Sequence, residues 1–157
     1  MNHNFLYKNS IGRCILCIYI STVVVFAQDF DSDIVKTKEH SFLASTFSDG
    51  YEIPWGMAFL PNNDLLVSDR TGELYRVSYN GKNRTEIDGV PEVLYKSQGG
   101  LLDVAVHPEF SKNSIIYISY SHALGRKSFT RIAMAKLSGN KLINLKVIFS
   151  VDKKHYT

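Results

Sequence analysis

One apolar stretch recurs in this chain at an offset of 47 positions, and that recurrence limits the fold more than any other feature. Pro54-Trp55-Gly56-Met57-Ala58-Phe59-Leu60-Pro61 lines up with Leu101-Leu102-Asp103-Val104-Ala105-Val106-His107-Pro108, sharing the alanine and the closing proline. Each copy is followed by a polar turn and a second apolar stretch, Leu65-Leu66-Val67-Ser68 in one and Ile115-Ile116-Tyr117-Ile118-Ser119 in the other. A third segment ends in a basic, an apolar and a serine residue, Arg76-Val77-Ser78 against Lys136-Leu137-Ser138, with Gly, Asn and Lys after it. A period in the forties made of four short strands is the sequence form of a β-propeller blade, the alternative being chance likeness between two apolar β segments.

The rest of the chain from Gln28 onward is consistent with an all-β fold. Short strands are expected in 40–47, 55–60, 65–68, 74–78, 101–107, 115–120, 131–137 and 146–150. Turn signals separate them, among them Pro61-Asn62-Asn63-Asp64, Arg70-Thr71-Gly72, Asn80-Gly81, Gly89-Val90-Pro91 and Ser138-Gly139-Asn140. No window sustains a helical period over three turns. Residues 28–39 are mostly Asp, Lys, Thr and Ser and read as a flexible leader.

The sharpest polar-to-apolar switch is Lys96-Ser97-Gln98-Gly99-Gly100 running into Leu101–Val106. It places one amide side chain, Gln98, at the start of a buried strand. Gly99 and Gly100 suit either close backbone approach to a ligand or simple turn geometry.

The first 27 residues read as an export signal. Lys8 and Arg13 precede an uncharged run, Cys14 to Ala27, that ends in Val25-Phe26-Ala27, which suits cleavage after Ala27. The run has 14 residues, short of the roughly 18 that a membrane anchor needs. Neither Cys14 nor Cys17 follows the small residue that lipid attachment requires, and 28–157 contains no cysteine, so no disulfide, zinc or cysteine-nucleophile argument is available there. Without Lys8 and Arg13, 16 basic residues face 15 acidic ones, which leaves no electrostatic footprint for nucleic acid. A periplasmic or secreted protein with no stable membrane insertion after signal cleavage is expected.

Five motifs occur in one order. They are Pro54–Pro61, Leu65-Leu66-Val67-Ser68-Asp69-Arg70-Thr71-Gly72, Gly89-Val90-Pro91, Gln98–Phe110 and Ile116-Tyr117-Ile118-Ser119-Tyr120-Ser121. Together they resemble the start of the soluble, PQQ-dependent aldose (glucose/sorbosone) dehydrogenases, exported bacterial quinoproteins with a six-bladed β-propeller. The resemblance implies that 40–157 forms about the first two blades. At about 47 residues per blade a six-bladed ring takes roughly 280 residues, so an N-terminal portion of a longer protein is expected, inactive and poorly stable when isolated because the outer blade faces stay open.

The resemblance also implies an activity, an oxidoreductase that converts the C1 hydroxyl of an aldose to a lactone. Hydride would pass to PQQ, Ca²⁺ would hold the cofactor, and an external acceptor would take the electrons. Gln98 matches a glutamine near PQQ and the catalytic histidine, with Gly99 and Gly100 beside the cofactor. The family's catalytic base is a histidine soon after the strand that here ends near Phe149, followed by an aromatic residue and then glycine. His155-Tyr156 meets the first two places, while Thr157 stands where glycine is expected. Either His155 is the base in a divergent context, or the base lies beyond Thr157, which the short spacing favours. No metal ligand can be assigned, since the family's Ca²⁺ and sugar ligands belong to later blades. Asp69 and Arg70 are expected to brace their turn, Trp55 to pack between blades, Asp103 to find a partner inside a buried strand, and His107 to hold a structural corner. A cofactor-free extracellular binding module of the same fold, or an inactive fragment, is the competing reading.

Overall fold

The computed structural model describes residues 32–125 and 127–151. The expected export signal and His155 lie outside the described residues. The first element is a ribbon in which β1 (Ser32–Lys36) pairs antiparallel with β2 (Ser41–Ser45). The Thr37 backbone N–H and hydroxyl both donate to the His40 carbonyl at 2.8 Å and close the turn. A strand thus stands inside the segment expected to be a flexible leader. Its mean composition is polar, yet Ile34 faces Leu43 and Val35 faces Phe42 across the ribbon, cross-strand pairs that favour pairing.

The two copies of the repeat then become two four-stranded antiparallel sheets. In the first, β3 (Pro54–Phe59), β4 (Leu65–Asp69), β5 (Leu74–Val77) and β6 (Arg84–Glu86) lie side by side in chain order. In the second, β7 (Leu101–Val106) is followed by a single-turn helix, α1 (Phe110–Asn113), and then β8 (Ile115–Leu124), β9 (Lys127–Ser138) and β10 (Lys141–Ser150), again in chain order. These are consecutive blades of a β-propeller. β3 and β7, the two aligned copies of the repeat, are the first strands of their blades.

The core lies between the blades. Leu60, Leu66, Leu74 and Ile87 of the first pack with Leu101, Val104, Ile116, Ile118, Tyr120, Ala133, Ala135, Leu137 and Leu142 of the second. Because side chains alternate along a strand, Leu65 and Val67 point to the opposite face of β4 and form a smaller cluster with Val77 and Tyr51. The strands β3 and β7 come unusually close. A Cβ at Gly56 would lie 2.5 Å from Asp103 Oδ1 and 2.9 Å from Asp103 Cα, so only glycine fits between them. The buried Ser68 hydroxyl accepts the Gly56 N–H at 3.0 Å and donates to the Leu102 carbonyl, joining the blades where no ladder runs. At the outer side, Asp88 N–H donates to Asn140 O (2.9 Å) and Leu142 N–H to Asp88 O (2.8 Å).

Four strands depart from the sequence reading, each for a physical reason. β6 is three polar, exposed residues and carries no apolar signal. β8 and β9 run past the expected 115–120 and 131–137, since their ladder continues from Ser121–Thr130 to Leu124–Lys127, with Phe129 buried in the extension. β10 begins at Lys141, ahead of the expected 146, and a bulge between Ile143 and Lys146, with Asn144 at φ +55°, breaks the alternation that would reveal it.

Candidate functional site

The segment from Leu94 to Gly100 leads into β7 as a closed loop. Leu94 N–H donates to Ser121 O and Ser121 N–H donates to Gly100 O, both at 2.8 Å, so one residue of β8 holds both ends. Within the loop Gly99 N–H donates to Lys96 O at 2.9 Å, and Ser97 sits at φ +54°. Gly100 adopts φ +147°, and a Cβ there would lie 1.9 Å from the Arg70 carbonyl oxygen. A Cβ at Gly99 would lie 2.9 Å from both Leu94 O and Ser121 Oγ. Gly100 packs tightly on the Arg70 backbone, and Gly99 on Leu94 and Ser121. Gln98 stands exposed at the loop apex, beside exposed Lys96 and Ser97.

The turn between β4 and β5 supports this loop. Asp69 is buried, and its carboxylate accepts the N–H groups of Glu52 (2.7 Å), Ile53 (3.0 Å) and Thr71 (3.3 Å) and the Thr71 hydroxyl (2.8 Å). Burial pushes its pKa up, but these donors outweigh burial and hold it below the usual carboxylate value. An ionised carboxylate with its lone pairs occupied by backbone is a brace, as the sequence reading expects. Arg70 follows, its N–H donating to Ile53 O at 3.0 Å and its carbonyl accepting Leu101 N–H at 3.1 Å. Its guanidinium carbon lies 5.6 Å from the Trp55 ring centre and 5.3 Å from the Tyr95 ring centre, within cation–π range of both. The Arg70 Nε is buried with no hydrogen-bond partner.

Two other expectations are corrected. Trp55 does not pack between the two described blades: it is 49% exposed on β3, and Arg70 covers one face of its ring. Asp103 is exposed rather than enclosed in its strand. A register shift between Leu101 and Val104 turns it outward, and its Oδ1 accepts the neighbouring Val104 N–H at 2.9 Å. His107, by contrast, holds the corner it was expected to hold. Its Nδ1 lies 2.9 Å from the Glu109 N–H and 3.0 Å from Asn113 Nδ2, and its ring stacks on Tyr117.

The structure thus brings Gln98, Gly99 and Gly100 together with Trp55, Arg70 and Tyr95 at the junction of the two blades, while His155 lies outside the described residues. Sequence reasoning did not group Trp55 and Arg70 with the loop, because ring-to-guanidinium contacts between residues 15 and 25 positions apart leave no local pattern. Among the described residues, no cluster of three or more His, Cys, Asp or Glu side chains could hold a metal ion.

Fold and loop together define propeller blades of the sugar-dehydrogenase type. The Glucose / Sorbosone dehydrogenase family matches residues 51–157, and the chain belongs to that family. It is 41% identical over 129 residues to the uncharacterized protein slr1608 of Synechocystis sp., covering 77% of this chain and 31% of that protein. It is 34% identical over 105 residues to the aldose sugar dehydrogenase YliI of Escherichia coli (strain K12), covering 64% of this chain and 28% of that protein. Among solved structures, the PQQ-bound form of the aldose sugar dehydrogenase from Streptomyces coelicolor is similar with a TM-score of 0.56 at 27% identity, covering 76% of this chain and 34% of that one. The chain spans about a third of the length of the curated relatives it matches.

Proposed function

We propose that this chain contributes two blades to an exported, PQQ-dependent aldose dehydrogenase, periplasmic or secreted, that oxidises the C1 hydroxyl of an aldose to a lactone. The observation that carries the reading is the loop at the blade junction, which fixes Gln98 at its exposed apex in a chain of this family. PQQ is a flat, anionic quinone. The corner offers groups suited to one edge of it: the Gln98 amide and the exposed rings of Trp55 and Tyr95. When bound, PQQ supplies the two-electron acceptor for the C1 hydride, and an external acceptor later takes both electrons. A histidine, His155 or one beyond Thr157, takes the hydroxyl proton as general base. Gln98, a neutral amide, orients that imidazole without altering its charge, and Gly99 and Gly100 keep the loop close to the blade. The Ca²⁺ implied for such enzymes would draw its ligands from residues other than those described, and the 157 residues alone would lack activity.

The test is dye reduction by aldoses with the full-length protein that contains this chain, reconstituted with PQQ and Ca²⁺. Turnover that requires PQQ is the expected result, and none with any aldose would overturn the reading in favour of a binding module. Gln98→Ala should slow kcat about a hundredfold, within the range for a lost orienting or acid–base partner, while changing stability by less than about 0.5 kcal/mol, as at other exposed sites. An unchanged kcat would remove Gln98 from the site.

A further inference from the structure

We propose that Arg70 is a positioning residue that holds the Gln98 loop at both ends, by its side chain at Tyr95 and by its backbone carbonyl at Gly100 and Leu101. The proposal rests on the reading of Gln98 as a site residue. Tyr95 opens the exposed part of the loop, and the Arg70 guanidinium lies against its ring. At the other end the Arg70 carbonyl accepts Leu101 N–H and sits where only a glycine at 100 leaves room. The same guanidinium also covers Trp55 at the start of β3, so one residue of the first blade grips a loop that belongs to the second.

The anchor is itself fixed. Arg70 N–H is bonded to Ile53, Asp69 N–H donates to Glu73 O at 2.8 Å, and the Asp69 carboxylate fastens the chain on either side. The Arg70 Nε is buried with no hydrogen-bond partner among the described residues, and the head lies against the Trp55 and Tyr95 ring faces. That contact tolerates a lysine, which keeps the charge over the rings, better than a glutamine, which loses it. Ser121 holds the loop from the second blade independently, so a weakened Arg70 grip should loosen the loop without unfolding the blade.

The experiment is amide hydrogen exchange on the full-length protein, read at Gly99 and Leu101, whose N–H groups the loop protects. Arg70→Gln should speed exchange at these two amides about tenfold, the loss of a cation–π contact at a partly buried site, with the β8–β9 ladder unchanged and Arg70→Lys close to wild type. The kinetic counterpart is a double-mutant cycle. Arg70→Gln alone should lower kcat about tenfold, but added to Gln98→Ala it should cost nothing more, because it acts through that side chain. Unchanged exchange at Gly99 and Leu101, or losses in kcat that add, would overturn the proposal. A wild-type protein without PQQ-dependent turnover would sink the enzymatic reading, while the exchange data would still decide whether Arg70 holds the loop.

Discussion

The two blades share a repeat, yet the same repeat position is buried in one and bare in the other. Met57 in β3 aligns with Val104 in β7 at the offset of 47, but Met57 is 70% exposed and Val104 only 3%. The residues are equally apolar and sit in equivalent strands. What differs is the neighbour: Val104 belongs to the core shared with Leu66 and Leu74 of the preceding blade, whereas on the Met57 side of β3 the described residues put only the segment with Phe47, Ser48 and Tyr51, and no blade. The opposite faces behave conversely. Ala58 packs against the shared core, while its counterpart Ala105 is exposed on the far side of β7. A propeller blade is therefore half a core on each side, completed only by the next one. Large apolar residues stay exposed on β3 (Trp55, Met57, Phe59) and on β10 (Val147, Ile148, Phe149).

The comparison breaks most severely at Gly100. Its place in the first blade is taken by Ile53, a side chain the fold accommodates. At Gly100 any Cβ collides with Arg70 O and meets an unfavourable φ, so Gly100→Ala should cost about 3 kcal/mol in denaturant unfolding, in the range for strain that has no local escape. Ile53→Val should cost about 1 kcal/mol. Equal costs at the two positions would mean that the loop is free to move away from Arg70. The next largest effect is at the aligned core pair. Val104→Ala should lose about 2 kcal/mol by leaving a cavity between the blades, against less than about 0.5 kcal/mol for Met57→Ala on an open face. If the Met57 substitution cost as much in the full-length protein, another blade must cover β3 there, and the difference between the blades would belong to this stretch of chain alone.

These residues also show what was readable beforehand. The repeat, the blade count and the strand cores could be read because burial between blades demands apolar residues at fixed spacing, as at Leu65–Ser68 and Ile115–Ser119. The Gln98 loop could be read because a polar, glycine-bearing turn meets an apolar strand. Trp55 was misplaced because sequence shows that a residue is apolar and not which of its neighbours is present. Asp103 was misplaced by a register shift that no alternation pattern foretells. The Arg70 contacts were invisible for a third reason: they depend on two rings and a backbone carbonyl converging from three separate segments.

The smallest difference between the blades concerns acid. Asp64 and Asp69 both belong to the first blade. Asp64 binds Arg76 at 2.8 Å and accepts the Tyr79 N–H at 3.1 Å and the Asn62 amide at 2.8 Å. Burial raises both carboxyl pKa values, but the hydrogen bonds, joined at Asp64 by the Arg76 charge, lower them further, so each lies below the ordinary 3.8. A depressed folded pKa means that the fold holds the ionised form. The stability it contributes is fully present above the unfolded value of about 4 and is lost as pH falls through the folded value. Acidification from about pH 5 to about pH 3 should therefore speed exchange at the Glu52 and Ile53 amides, which Asp69 holds, relative to the amides of the β8–β9 ladder, after correction for intrinsic rates. Asp69→Asn should remove most of that pH dependence, because the amide cannot ionise. If the protection of both blades fell together with the acid, Asp69 would not be the local brace that its four hydrogen bonds describe.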